Sequence, residues 1–310
     1  MSFSIPVTFI IFNRPDLTKI VFEVIAKVKP EILFIVADGP RFPEEVEKCE
    51  QTRAIIDGVN WDCEVFTKFS DKNLGCGRRV SSGIDWVFSK VEEAIFLEDD
   101  CLPAKSFFSY CQTLLERYRD DHRIMTINGN NFQFGQKRTD YSYHFSKYNG
   151  TWGWASWRRA WKYYDYEMKT WPEFKKSEMI GMICEDPYEQ RFFTRLFDAM
   201  YENPDRENTW DHQWKYACWS QSGLAIEPSV NLVANLGLGH CDATHTTDEN
   251  PLLEQLSETK DIWEIKHPPF VVRHRAADAY IFDYVAGGNH KKKHALLNKL
   301  RNWMSVIKKR

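Results

Sequence analysis

Residues 95–103 read IFLEDDCLP, an apolar run that stops at three adjacent carboxylates, Glu98, Asp99 and Asp100, before Cys101, Leu102 and Pro103. Adjacent like charges repel. Such a run ends either in a solvated acidic turn, which would also cap a following helix, or against something positive. Mg2+ and Mn2+ take oxygen ligands and often bind through one or two carboxylates plus substrate phosphates. The pattern around the triplet decides how it is read.

Upstream, strand and helix signals alternate. PVTFIIF (6–12) is β-branched and aromatic, and DLTKIVFEVIAKV (16–28) sets Leu17, Ile20, Val21, Val24, Ile25 and Val28 at helical spacing. EILFIVADGP (31–40) is a second strand, 44–56 reads as helix, and CEVFTKF (63–69) is a third strand. NLGCGRRVSSGIDWVFSKV (73–91) runs from a glycine-containing loop into a helix, and EEAIFLEDD (92–100) is the fourth strand. This alternation predicts an α/β fold with a mostly parallel sheet and helices on its faces. Ligands of such sheets gather at the carboxyl ends of the strands. Phe12-Asn13-Arg14, Asp38-Gly39 and the acidic triplet all fall there.

Downstream, Phe107, Phe108, Cys111, Leu114, Leu115 and Tyr118 form one helical stripe, and RIMTINGNN (123–131) reads as strand and turn. NGTWGWASWRRA (149–160) resists assignment as a plain core helix. Residues 177–201 and 210–223 read as helices, and SVNLVANLGLGHCDATHT (229–246) as a strand with a polar loop. No repeat or low-complexity linker interrupts the chain, so its halves are expected to pack as one unit.

Apolar residues make up 43% and aromatics 15%, with 12 tryptophans, which fits either an aromatic-rich core or sugar and nucleotide contacts. The net charge of −3 conceals an asymmetry. Residues 291–310 carry Lys291, Lys292, Lys293, Lys299, Arg301, Lys308, Lys309 and Arg310 with no acid, leaving the rest acidic. That balance argues against a general nucleic-acid binder. In the same tail Leu296, Leu297, Leu300, Trp303, Met304 and Ile307 share a helical face. The pattern suits a helix on an anionic membrane surface, or equally one docked on the body of the protein. Eight scattered cysteines without a CxxC pair, and a short first apolar run without a basic leader, lead us to expect reduced thiols in a cytoplasmic protein. No apolar run approaches the roughly 20 residues of a membrane span.

Other residues suggest chemistry. Arg78 and Arg79 open a helix after Asn73-Leu74-Gly75, and a helix N-terminus with guanidinium groups suits a diphosphate; two surface arginines are the plainer reading. Asp38 is either an ordinary turn aspartate or an acceptor for a base edge. TWDHQW (209–214) sets Asp211 and His212 between Trp210 and Trp214, where flanking indoles would desolvate a general base and raise its pKa. A helix cap fits the same spacing. His240 and His245 follow no standard zinc pattern and read as loop histidines, with metal or phosphate ligation the alternative. No GxSxG elbow, GxxxxGK[ST] loop or GxGxxG fingerprint is present.

IIFNRP, FIVADGP, NLGCGRRVSSGIDWVF and IFLEDDCLPAKSFF, in this order and spacing, resemble the nucleotide-sugar-binding half of GT-A-fold glycosyltransferases, in particular the N-acetylglucosaminyltransferase I type and its bacterial relatives. NGTWGWASWRRAWKYY and TWDHQW resemble that family's acceptor half, so the likeness covers roughly residues 5 to 245. The resemblance implies that 1–103 bind the donor and that 104–250 bind the acceptor and carry the base. Residues 251–290 would be peripheral, and 291–310 a basic amphipathic tail. Asp100, in the position of the DXD motif, would ligate Mn2+ (or Mg2+) with the donor phosphates. Glu98 and Asp99 would meet ribose and sugar hydroxyls. Asp38, with Gly39, would meet the uracil edge, and Phe12, Asn13 and Arg14 the nucleotide pocket. Arg79, or Arg78, would face the diphosphate, and Asp211 would be the base. Trp152, Trp154, Trp210, His212, His240 and His245 would be acceptor or accessory contacts. Asp211-His212 departs from the two consecutive acids of the animal enzymes, and their membrane anchor and stem are not seen. A metal-dependent, inverting transfer of sugar from a UDP-sugar to a glycan or lipid-linked glycan in bacterial surface polysaccharide synthesis follows as the expectation, at the cytoplasmic face of the membrane. A sugar nucleotidyltransferase would need a Gly-rich, lysine-containing loop where this chain has FNRPDLTK; a silent glycan- or nucleotide-binding protein is the other alternative.

Overall fold

The computed structural model describes residues 3–238 and 256–288. The strands in these residues are β1 (Val7–Ile11), β2 (Ile32–Ala37), β3 (Glu64–Phe69), β4 (Glu93–Glu98), β5 (Cys101–Pro103), β6 (Ile124–Asn128), β7 (Tyr143–Ser146), β8 (Trp154–Trp157), β9 (Leu224–Pro228) and β10 (Val233–Asn235). Eight of them form one sheet in the order β3-β2-β1-β4-β8-β6-β9-β7. The first four are mutually parallel, as the alternating pattern predicts. β8 runs antiparallel to both β4 and β6, β9 is parallel to β6, and β7 returns antiparallel. The sheet is therefore α/β and mostly parallel, and it continues without a break across residue 103.

The strands are apolar on both faces because both are covered. Val7, Phe9, Ile11, Leu33, Ile35, Ile95 and Leu97 pack with helices Pro15–Val28 and Phe107–Arg117. Ile10, Phe34, Val36 and Phe96 point the other way, toward helices Gly75–Lys90, Pro187–Glu202 and Asp211–Ser220. β5 and β10 form a separate antiparallel ribbon that holds the chain just after the acidic triplet; Leu236 N donates to the Asp100 carbonyl at 2.8 Å.

The structure settles one segment left unassigned and departs from expectation in two others. The Trp-rich stretch at 149–160 supplies β8 and the short helix Arg158–Trp161, because Trp154 is the partner of both Phe96 and Asn128. The expected helix at 177–201 is divided into Ile180–Ile183 and Pro187–Glu202. Pro187 disfavours a helical residue before it, and the Asp186 side chain caps the second helix at Tyr188 N, 2.7 Å. In the segment 251–290, helix Arg275–Tyr284 is embedded and not peripheral. It buries Ala277, Ile281 and Phe282, and Asp278 accepts from Ser146 Oγ at 2.6 Å. The basic tail, His240 and His245 lie outside the described residues. Among the described residues no helix is long and apolar enough to cross a membrane.

The tryptophans answer the composition question. Trp154, Trp157, Trp171, Trp214 and Trp219 are among the largest fully buried side chains. Trp154 stacks on Phe96 at 4.5 Å and on Trp210 at 5.5 Å. Replacing a buried tryptophan by alanine typically costs about 3–5 kcal/mol. Trp154→Ala should lower the free energy of unfolding by that much and the urea midpoint with it; an unchanged midpoint would remove Trp154 from the core.

Candidate active site

At the end of β4, Glu98 is half-buried and Asp99 and Asp100 turn toward β5. The positive partner of the triplet is Arg14, at the head of helix Pro15–Val28. Its guanidinium meets Asp99 Oδ1, and its other terminal nitrogen lies 3.1 Å from Asp100 Oδ2. These side chains are 18% (Arg14), 4% (Asp99) and 16% (Asp100) exposed. One arginine faces three acids. Burial pushes the Glu98 carboxyl up to about 8, with Asp100 and Asp99 adding to the shift and Arg14 opposing it. Burial likewise raises Asp99 to about 6 against the pull of Arg14. Asp99 Oδ2 is sealed with no hydrogen-bond partner among the described residues. Gly237 makes room for Asp100: a Cβ there would come within 2.5 Å of Asp100 Oδ2.

Asp38 ends β2, and its carboxylate is engaged by the backbone. It accepts from Gly39 N (2.9 Å), Leu74 N (2.9 Å) and Gly75 N (3.0 Å), so it fixes the loop that opens helix Gly75–Lys90. Burial raises its pKa while those amides oppose the shift. Gly39 is tied to the same loop, for a Cβ there would lie 2.6 Å from the Lys72 carbonyl carbon. Asn13 donates to Glu45 Oε1 at 2.9 Å, and Arg41, paired with Glu45, lies over the Phe12 ring at 5.2 Å.

Arg78 and Arg79 part company. Arg79 is buried and donates to the Lys68 carbonyl. Arg78 is exposed, pairs with Asp205 at 2.5 Å and lies over Tyr166. Neither guanidinium stands free at the helix head in this structure. Trp154 and Trp210, expected as acceptor contacts, are core residues; Trp152 is half-buried against Phe132 at 5.6 Å.

Asp211 begins helix Asp211–Ser220. Its Oδ1 accepts from Thr209 Oγ1, and Oδ2 lies 3.5 Å from His212 Nδ1. Burial pushes its pKa up, but the charges of His212 and Lys215 and the Thr209 hydroxyl outweigh burial and leave it below the ordinary value. The rise expected from the flanking indoles is thus overturned. About a third of its side chain is exposed, and the lowered pKa keeps it ionised at neutral pH.

Cys76, which the sequence did not single out, lies among these groups. Burial raises its thiol pKa, and after burial the charges that raise it further are those of Glu98, Asp211, Asp100 and Asp38, in that order. The charges of Asp38, Glu98, Asp100 and Asp211 therefore all act on the thiol at the head of helix Gly75–Lys90. A thiol there carries no recognisable motif, so only the fold could find it.

The chain matches no protein-family model and no curated protein. Among solved structures it is similar to the Q189E active-site mutant of LgtC (12% identity, 92% of this chain and 96% of that one, TM-score 0.41). It is also similar to UDP-glucose pyrophosphorylase complexed with UDP-glucose (9%, 82% and 97%, 0.39) and to residues 1–349 of S. aureus TarS (12%, 51% and 48%, 0.38). The match to the TarS fragment spans about half of that chain's length. Likeness of this degree leaves function to the residues themselves.

A carboxyl with a raised folded pKa keeps a proton that the unfolded chain has released. The folded state then binds more protons, and stability falls as pH rises between the two values. For Glu98 that window runs from about 4.5 to about 8. In EDTA, the urea midpoint should fall between pH 5 and pH 8, and Glu98→Gln should flatten that fall. An equal slope in the variant would show that Glu98 is not its source.

Proposed function

We propose that this chain is a metal-dependent, inverting glycosyltransferase that moves a sugar from a nucleotide-diphospho-sugar, a UDP-sugar by preference, to a glycan or lipid-linked glycan. The observation that carries the reading is the acidic triplet, with Arg14 against Asp99 and Asp100, set with Asp38 at the carboxyl edge of a mostly parallel sheet. That edge is where such sheets bind ligands.

The donor set fits a hard cation. Its atoms are carboxylate oxygens, and Asp99 retains a sealed, unpartnered oxygen. Among the described residues no group of three metal-ligating side chains occurs, so the protein would supply one or two ligands, with substrate phosphates as the remainder. Asp100 would hold Mn2+ or Mg2+, which offsets the charge on a departing diphosphate when bound. Glu98 and Asp99 would meet the hydroxyls of the donor. Asp38 would serve chiefly by fixing the loop and, with Phe12, Asn13 and Arg14, by bounding the nucleotide pocket.

Asp211 would take the proton of an acceptor hydroxyl as its oxygen attacks the anomeric carbon. The bond from that carbon to the diphosphate oxygen breaks, and its electron pair leaves with the nucleoside diphosphate. One displacement inverts the anomeric configuration. Partition onto an anionic membrane through 291–310 belongs to the same proposal and suits a lipid-linked acceptor.

A thermal-shift screen of nucleotide sugars with and without Mn2+ tests the reading. A metal-dependent shift with one donor is expected, and no shift with any donor overturns it. A general base contributes about 10²–10⁴-fold. Asp211→Asn should therefore lower kcat by that factor while the donor-induced shift persists; unchanged turnover would dismiss Asp211 as the base. Asp100→Ala should instead abolish the metal-dependent shift, and an intact shift would relocate the metal.

A further inference from the structure

Beside the carboxylates lies a patch of amides that the proposed chemistry has not used. Asn130 is fully buried and Asn149 is 8% exposed, yet both side-chain atoms of each have no hydrogen-bond partner among the described residues. Asn128 gives its Nδ2 to the Tyr148 carbonyl at 3.2 Å, and its Oδ1 is likewise unpartnered. Buried polar groups are nearly always paired, so five unpartnered amide atoms in one place call for a ligand or ordered water.

The fold brings these amides together and under the helix that Asp211 begins. Asn128 stands across from Trp154, Trp154 across from Phe96, and Gly129 N donates to the Gly153 carbonyl at 2.8 Å. Asn130 and Glu98 therefore leave the sheet at the same level of its carboxyl edge, on two strands that both flank β8. Strands lie about 4.8 Å apart, so the separation is about 10 Å, which accommodates two sugar rings side by side. The Asn130 amide packs onto Gly150, where a Cβ would collide with it, and Asn149 is the neighbouring residue. Helix Asp211–Ser220 covers the same place: Trp219 Nε1 donates to the Lys147 carbonyl at 2.6 Å, and Lys215 Nζ lies 6.0 Å from the Tyr148 ring centre. Lys215 is one helical turn from Asp211, whose charge it feels.

We propose that Asn130 and Asn149, with Asn128 beside them, form the subsite that grips the sugar ring of the acceptor through its hydroxyls. This rests on the glycosyl-transfer reading. Carboxamides both donate and accept, as sugar hydroxyls do. The place of Asn128 and Asn130 at the end of β6, two strands from the acidic triplet, with Asn149 packed alongside before β8, assigns them to the acceptor and leaves the donor sugar to Glu98 and Asp99.

Leucine copies the shape of asparagine without its hydrogen bonds, so Asn130→Leu and Asn149→Leu test the subsite in the full-length chain. The probe is saturation-transfer NMR with the methyl glycosides of glucose, galactose, mannose and N-acetylglucosamine, in the presence of UDP and Mn2+. At least one glycoside should give a signal with the unmodified protein, and each variant should reduce it at least about tenfold, since a site built to bond hydroxyls fails without its partners. Each variant should also melt at the original temperature or above, because an unpartnered amide is replaced by an apolar group of equal shape. Equal signals in variant and parent, no signal from any glycoside, or a lower melting temperature in both variants overturns the subsite, the last because it marks the amides as structural. The nucleotide-sugar thermal shift is read in parallel. It should survive in both variants, and its loss there would assign the amides to the donor and overturn the proposal. Its absence in the parent overturns the transfer reading, independently of the glycoside signal.

Discussion

Arg14 stands against Asp99 and Asp100 at the end of a buried parallel strand, one guanidinium for three carboxyls. Much of the local architecture follows from this imbalance. The charge is lodged where β1 and β4 are paired, so neither strand can shift without separating Arg14 from its acids. The ribbon of β5 with β10 then holds the chain just beyond the triplet, with Gly237 drawn against Asp100. A buried acid cluster with incomplete compensation is poor design for stability, and such local costs are expected at functional sites.

Asp38 illustrates how a residue's place can be legible while its partners are not. Its position at a strand end is visible in the sequence. What it does there depends on three amides contributed by residues 39, 74 and 75, and a contact between residues that far apart is invisible to local pattern. The arginines at 78 and 79 make the same point, because adjacent helical positions point about 100° apart. One was therefore bound for the interior and one for solvent, and the sequence does not say which.

The parallel half of the fold was legible because its strands are continuous β-branched and aromatic runs separated by helical periodicity. The second half was harder to read. WGWASW carries no alternation of polar and apolar residues, and only the pairing of Trp154 with both Phe96 and Asn128 makes it a strand. The tryptophans there fitted either a core or sugar contacts, and their mutual packing accounts for Trp154, Trp210 and Trp214 as core. For the candidate site, the acids were legible by type and strand position, while Cys76, Gly237 and the asparagines were not. Their part comes from what surrounds them, namely charges, a carboxylate oxygen and missing partners.

The placement of β8 has a mechanical consequence. Because it is bonded on both sides, to β4 of the first half and β6 of the second, the edges carrying the acids and the amides belong to one hydrogen-bonded lattice. Enzymes that unite two substrates often do so by swinging separate lobes about a hinge. Here such a swing would tear a continuous ladder, so under the proposed transfer any adjustment of one substrate toward the other would be left to side chains and edge loops. The spacing between them is set by the pitch of the sheet.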